Sequence, residues 1–109
     1  MNLPVEYVRY VESGGPVEAC TLGEPGYIAL WPLANVAQYN IDFSVAEYAP
    51  GYLGFGGDGG GELLAFDNHG GVYKLPLIGM ESRYAVKIAD SWQDLEQRIE
   101  RSNDGPVGY

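Results

Sequence analysis

Apolar residues first recur at helical spacing near the start of the chain, where Leu3, Tyr7, Val8 and Val11 share one face. Asn2 or Leu3 can start this helix, Pro4 sits in its first turn, where a missing N–H costs nothing, and Ser13-Gly14-Gly15-Pro16 stops it. Tyr27-Ile28-Ala29-Leu30-Trp31 is a short apolar run between Pro25-Gly26 and Pro32, which predicts a buried strand. A short helix then runs from Pro32 with Leu33, Val36, Ala37 and Asn40 on one side, and Tyr48-Ala49-Pro50-Gly51 reads as a turn. Residues 52–55 and 62–67 read as strands joined by a glycine-rich connection. Asn68-His69-Gly70-Gly71 turns the chain into Val72-Tyr73-Lys74-Leu75, so residues 62–77 form a hairpin, with Pro76 restricting its second strand to an edge or an end. Residues 84–89 add one more strand.

The last element carries the clearest signal. Ser91 with Asp94 makes a capping-box pattern, Asp90 places negative charge at the helix start, and Trp92, Leu95 and Ile99 form the apolar stripe. Asp94 and Arg98 are a favourable i,i+4 pair, and Asn103-Asp104-Gly105-Pro106 ends the helix, leaving residues 103–109 as a short tail. The order is helix, strand, helix, several strands, helix, without internal repeats; the hairpin signals favour an antiparallel sheet in an α+β domain. At 109 residues, with 46% hydrophobic, the whole chain is one domain with a real core.

Charge changes the picture more than composition does. Six cations against 15 acids give a net charge of −9, which argues against nucleic acid or an anionic membrane surface as a partner. The imbalance is lopsided: residues 1–70 hold one cation and nine acids, residues 71–109 five cations and six acids. No Lys or Arg lies between Arg9 and Lys74, while Glu12, Glu18, Glu24, Asp42, Glu47, Asp58, Glu62 and Asp67 do. One part of the surface is therefore expected to carry most of the negative field and to suit a basic protein partner.

The chemistry-bearing residues are few. Cys20 is the only cysteine, which excludes an internal disulfide and a Cys-based zinc site, and it reads as a small buried hydrophobe. Gly54, Gly56 and Gly59 satisfy G-x-G-x-x-G, but a dinucleotide site needs a helix to open there, and the residues that follow are strand-like. A tight, close-packed strand connection is the better reading. Asp58, Glu62 and Asp67 lack the ligand spacing of a calcium loop, so they read as a solvated acidic rim rather than a metal site. His69, the only histidine, lies in a turn; the five serines show no nucleophile context, and no carboxylate dyad is evident. Neither catalysis nor a cofactor is expected. Tyr7, Tyr27, Trp31, Tyr73 and Trp92 are expected to face the core, whereas Tyr39, Tyr48 and Tyr52 lie in or beside the acidic stretch, where aromatic residues can anchor an interface. The first fifteen residues have no signal-peptide pattern and no run is long enough to span a membrane, so the chain reads as cytoplasmic.

Leu3-Pro4 with Tyr7, then Gly14-Gly15, Leu30-Trp31 ahead of a short helix, Pro50 leading to GFGGDGGGELLAFD, the Val72-Tyr73 strand and Ile88-Ala89-Asp90-Ser91-Trp92 opening the last helix together resemble the SUKH superfamily, the Smi/Knr type. The resemblance covers nearly the whole chain. It implies an α+β fold with a curved, mainly antiparallel sheet and helices at its ends and on one face. It also implies a protein without catalysis, since the superfamily includes fungal cell-wall regulators and bacterial immunity proteins that neutralise toxins, often nucleases. Two departures stand out: Trp92 where Phe is more usual, and fewer residues ahead of Leu3-Pro4, which leaves open whether one edge or end of the sheet is uncovered; the expected state is a monomer or a weak homodimer. The family supplies no fixed site motif. Charge and expected exposure therefore choose the partner-binding candidates: Glu47, Asp58, Glu62 and Asp67 as charge contacts, Tyr48 and Tyr52 as anchors. The expected function is that of an immunity protein against a basic toxin domain. The alternatives are a regulatory or scaffold module without a toxin partner and, more remotely, a small-molecule or metal-binding enzyme.

Overall fold

A computed structural model describes residues 2–100. Six strands form one antiparallel meander in chain order, β1 (Glu18–Cys20), β2 (Tyr27–Leu30), β3 (Leu53–Gly57), β4 (Glu62–Phe66), β5 (Val72–Pro76) and β6 (Val86–Ala89), curled into a half-barrel. The helices are α1 (Val5–Glu12), α2 (Val36–Asp42), α3 (Val45–Tyr48) and α4 (Trp92–Glu96), with single 3-10 turns at Leu33–Asn35 and Ser82–Tyr84. The architecture is α+β. The hairpin of β4 and β5 pairs Glu62 with Pro76 and Phe66 with Val72, so Pro76 closes its strand at an end, where its missing N–H does least harm.

The period-2 alternation of β4 sorts its side chains onto two cores. Leu64 and Phe66 face α1 and α4, joining Tyr7, Tyr10, Ile28, Phe55, Val72, Trp92 and Leu95. Tyr7 meets Phe55, Phe66 and Trp92 edge-on at 5.0, 5.4 and 4.8 Å, while Phe55 stacks on Phe66 at 4.2 Å. Leu63 and Ala65 face the opposite side, where Val45, Ala49, Leu75 and Met80 form a smaller cluster bordered by Trp31 and Tyr52. A strand buried on both faces needs helices on both, which explains why the sheet sits between α1/α4 and α3.

Several expectations change on contact with the structure. Strand β3 runs on through Gly57, so Gly56 and Gly57 belong to the strand and not to its connection. A Cβ on Gly56 would lie 2.6 Å from the Ala29 carbonyl oxygen, so glycine there permits β2 and β3 to approach. β1 was not expected, because Glu-Ala-Cys has little strand character; as an edge strand it leaves Cys20 exposed rather than buried. Tyr48 ends α3 instead of opening a turn. Tyr27, Trp31 and Tyr73 are half-buried, not core residues. The terminal helix stops at Glu96; Ile99 instead pairs with Thr21, and the stop signal at residues 103–106 lies outside the described residues. The Ser91 cap is present, its Oγ accepting the Asp94 N–H at 3.1 Å.

Candidate functional site

The six expected partner-binding residues fall in separate places. Glu47 and Tyr52 line a hollow of about 440 Å³ beside α2 and α3, with Asn40, Ile41, Ser44 and Leu53, and Tyr48 projects from the same short helix, half exposed. Glu62 lies across the sheet, in a cleft over β4, β5 and β6. Asp58 and Asp67 sit in the turns before and after β4.

Both turn aspartates are employed by the fold. Asp58 Oδ1 accepts the Gly60 and Glu62 amides at 2.7 and 3.1 Å, closing the β3–β4 turn. Asp67 Oδ1 accepts the His69 and Gly71 amides, both at 2.9 Å, closing the β4–β5 turn. Partial burial pushes the Asp67 carboxyl up, but the two amides and the Tyr73 hydroxyl together outweigh it, so the group is held below its ordinary value. The Tyr73 hydroxyl is raised in turn, by burial first and then by Asp67. His69 is exposed on this turn.

The hollow is built by two local devices. Asn40, on the inward side of α2, donates Nδ2 to the Gly54 carbonyl at 2.9 Å and accepts the Gly54 N–H on Oδ1 at 2.8 Å. β2 pairs with β3 only at Gly56 and Gly57, so beyond the bulge at Phe55 the Asn40 amide stands in for a neighbouring strand. Ser44, at φ 54°, breaks α2 from α3 in the left-handed region and turns Val45 into the smaller core. That break leaves Ile41, Phe43 and Tyr48 exposed at 68, 44 and 52%. Phe43 stacks on Trp31 at 5.8 Å, which fixes its ring. Asp42 and Glu47 flank these side chains and make no ion pair among the described residues, and no Lys or Arg lines the hollow.

Of the expected contacts, Glu47, Tyr48 and Tyr52 lie on this face, while the sequence reading did not single out Asn40 as a clamp or Ile41, Asp42 and Phe43 as exposed neighbours. The available signal was Asn40 itself, a polar residue on the apolar side of a helix. Among the described residues no group of three or more His, Cys, Asp or Glu side chains is arranged to hold a metal, and no helix is long and apolar enough to cross a membrane.

Over residues 1–98 the chain matches the SMI1 / KNR4 family (SUKH-1) and belongs to it. A comparison with curated proteins finds no match.

Proposed function

We propose that this protein is an immunity protein that neutralises a bacterial toxin domain by covering it, with no chemistry of its own. The family is generally non-catalytic, which supports a binding role. The observation that carries the reading is the α2–α3 face: exposed Ile41, Phe43 and Tyr48 beside Asp42 and Glu47, without a cation in the hollow. Exposed aromatic and aliphatic side chains supply desolvation energy, and the carboxylates select a partner of opposite charge. A nuclease toxin fits that description, because holding phosphate requires a basic cleft. An interface of on the order of 1,600 Å² is attainable for a domain of this size.

Co-expression with the C-terminal domain of the neighbouring gene's product, as the candidate toxin, is the test. Cells survive, and a stoichiometric complex copurifies. The Asp42→Lys, Glu47→Lys double variant folds normally but associates about tenfold more slowly at low salt, with a flatter salt dependence. Absence of protection, or an association rate indifferent to both salt and charge reversal, would overturn the reading.

A further inference from the structure

The two edges of the sheet are finished differently. Along β1, residues 98–100 cover the outer rim. Among the described residues β6 pairs with β5 alone, in a register that sets Lys87 against Tyr73 and Val86 against Lys74. Backbone groups alternate along an edge strand, so the neighbours of a residue that points inward point outward. The Arg98 guanidinium reaches the outward Ile88 carbonyl at 2.8 Å, and Asp94 accepts the Asp90 amide at 3.2 Å, so α4 and the residues after it cover the far end of β6. Val86, two residues earlier, has the same outward sense as Ile88, and neither contact extends to it; it is 56% exposed.

The same end of the sheet is where apolar side chains meet solvent. Ile78 is 94% exposed, and Leu77, Tyr84 and Val86 are exposed near it, where the chain leaves β5 and enters β6. Charge is balanced there. Residues 77–90 hold two acids and two cations, paired within the chain: Glu81 with Arg83 at 2.8 Å and Asp90 with Lys87 at 3.1 Å. A lysine on an edge deters pairing when its charge is bare, but Lys87 is neutralised by Asp90. The other 95 residues hold thirteen acids and four cations. A basic partner finds no unpaired carboxylate on this edge to select it, whereas two copies of so acidic a chain repel each other least at this approach. An open antiparallel edge is also self-complementary, because a two-fold axis lets both copies exchange the same N–H and C=O groups.

We propose that two copies of this chain join edge to edge along β6, Val86 of each exchanging backbone hydrogen bonds with Val86 of the other across a two-fold axis, with Ile78 and Tyr84 packing around the joint. The α2–α3 face takes no part, so the dimer goes beyond toxin neutralisation and is tested without any partner. Sedimentation equilibrium of the full chain, up to about 1 mM, is the experiment. So short an edge makes a weak pair, so a monomer–dimer equilibrium with Kd on the order of 100 μM is expected, tighter at high salt because the net charge of both copies is screened. Val86→Asp and Ile78→Asp, both at exposed positions, keep the melting temperature of the parent and weaken the dimer at least about tenfold. Val86→Pro does the same by removing only an outward amide; Ala85, at φ −67° and ψ 130°, already has the backbone that a following proline requires. Ile41→Asp, on the α2–α3 face, leaves the equilibrium unchanged. A chain that stays monomeric at about 1 mM in high salt overturns the proposal. So does a dimer that survives Val86→Asp and Val86→Pro, or one that Ile41→Asp abolishes, because the joint would then lie elsewhere.

Discussion

The hollow beside α2 and α3 and the cleft over β4 to β6 both contain carboxylates, but the chain answers them differently. In the cleft, Glu24 is met by Lys74, and the flanking cations are met by Asp90 and Asp94. In the hollow, Glu47 has no cationic partner among the described residues, and it sits beside apolar side chains that remain exposed. Net charge counts these acids alike. Their availability differs: a carboxylate already holding an ammonium or a pair of amides must give something up to meet a partner, and one facing water with no ion pair need not.

The largest effect is expected where the hollow depends on one side chain. Asn40→Ala leaves the Gly54 N–H and carbonyl without their partner and should lower unfolding free energy by about 2–3 kcal/mol in urea titration. A loss below half a kcal/mol would mean that α2 is held by packing alone. Tyr48→Ala should leave stability unchanged and weaken binding of the proposed toxin partner by about 2 kcal/mol, roughly thirtyfold, by calorimetry. Equal binding by this variant and the parent would move the contact elsewhere, the cleft included.

Asp67→Ala tests an acid that the fold itself uses and should cost about 1 kcal/mol at neutral pH. Its folded carboxyl is depressed, so its contribution is fully present above the unfolded value of about 3.9 and is lost as pH falls through the lower folded value. The gap between parent and variant in urea unfolding should therefore narrow on acidification, and a gap constant with pH would contradict the assigned hydrogen bonds. The smallest effect is expected at the cleft's ion pair. Lys74→Met should cost less than about 1 kcal/mol, because Glu24 is largely exposed and the pair is screened by solvent.

The elements announced by strong local signals were legible in the sequence: the Ser91-capped helix, the hairpin of β4 and β5, and the helix behind Pro4. What was not legible depended on contacts distant in sequence. Glu-Ala-Cys becomes a strand only because β2 pairs with it. Ile99 leaves the helical register because Thr21 offers a partner, and Asn40 acts as a clamp only because Gly54 lies opposite. The candidate site divided in the same way. Exposure of Glu47 and Tyr48 followed from polar context, but the turn duties of Asp58 and Asp67 could have been read from their spacing. An aspartate two residues ahead of a glycine or histidine, in a glycine-rich turn, is more often an acceptor for its own backbone than a contact for another protein.

Residues 98–100 lie against the first strand, with the Leu22 amide donating to the Arg98 carbonyl and the Glu100 amide to the Cys20 carbonyl. During synthesis on the ribosome, the outer rim of β1 must wait for residues 98–100, some eighty positions further along, before it is covered. Until then, the nascent meander presents a bare row of amides and carbonyls, and residues 98–100 act as the latch that covers it.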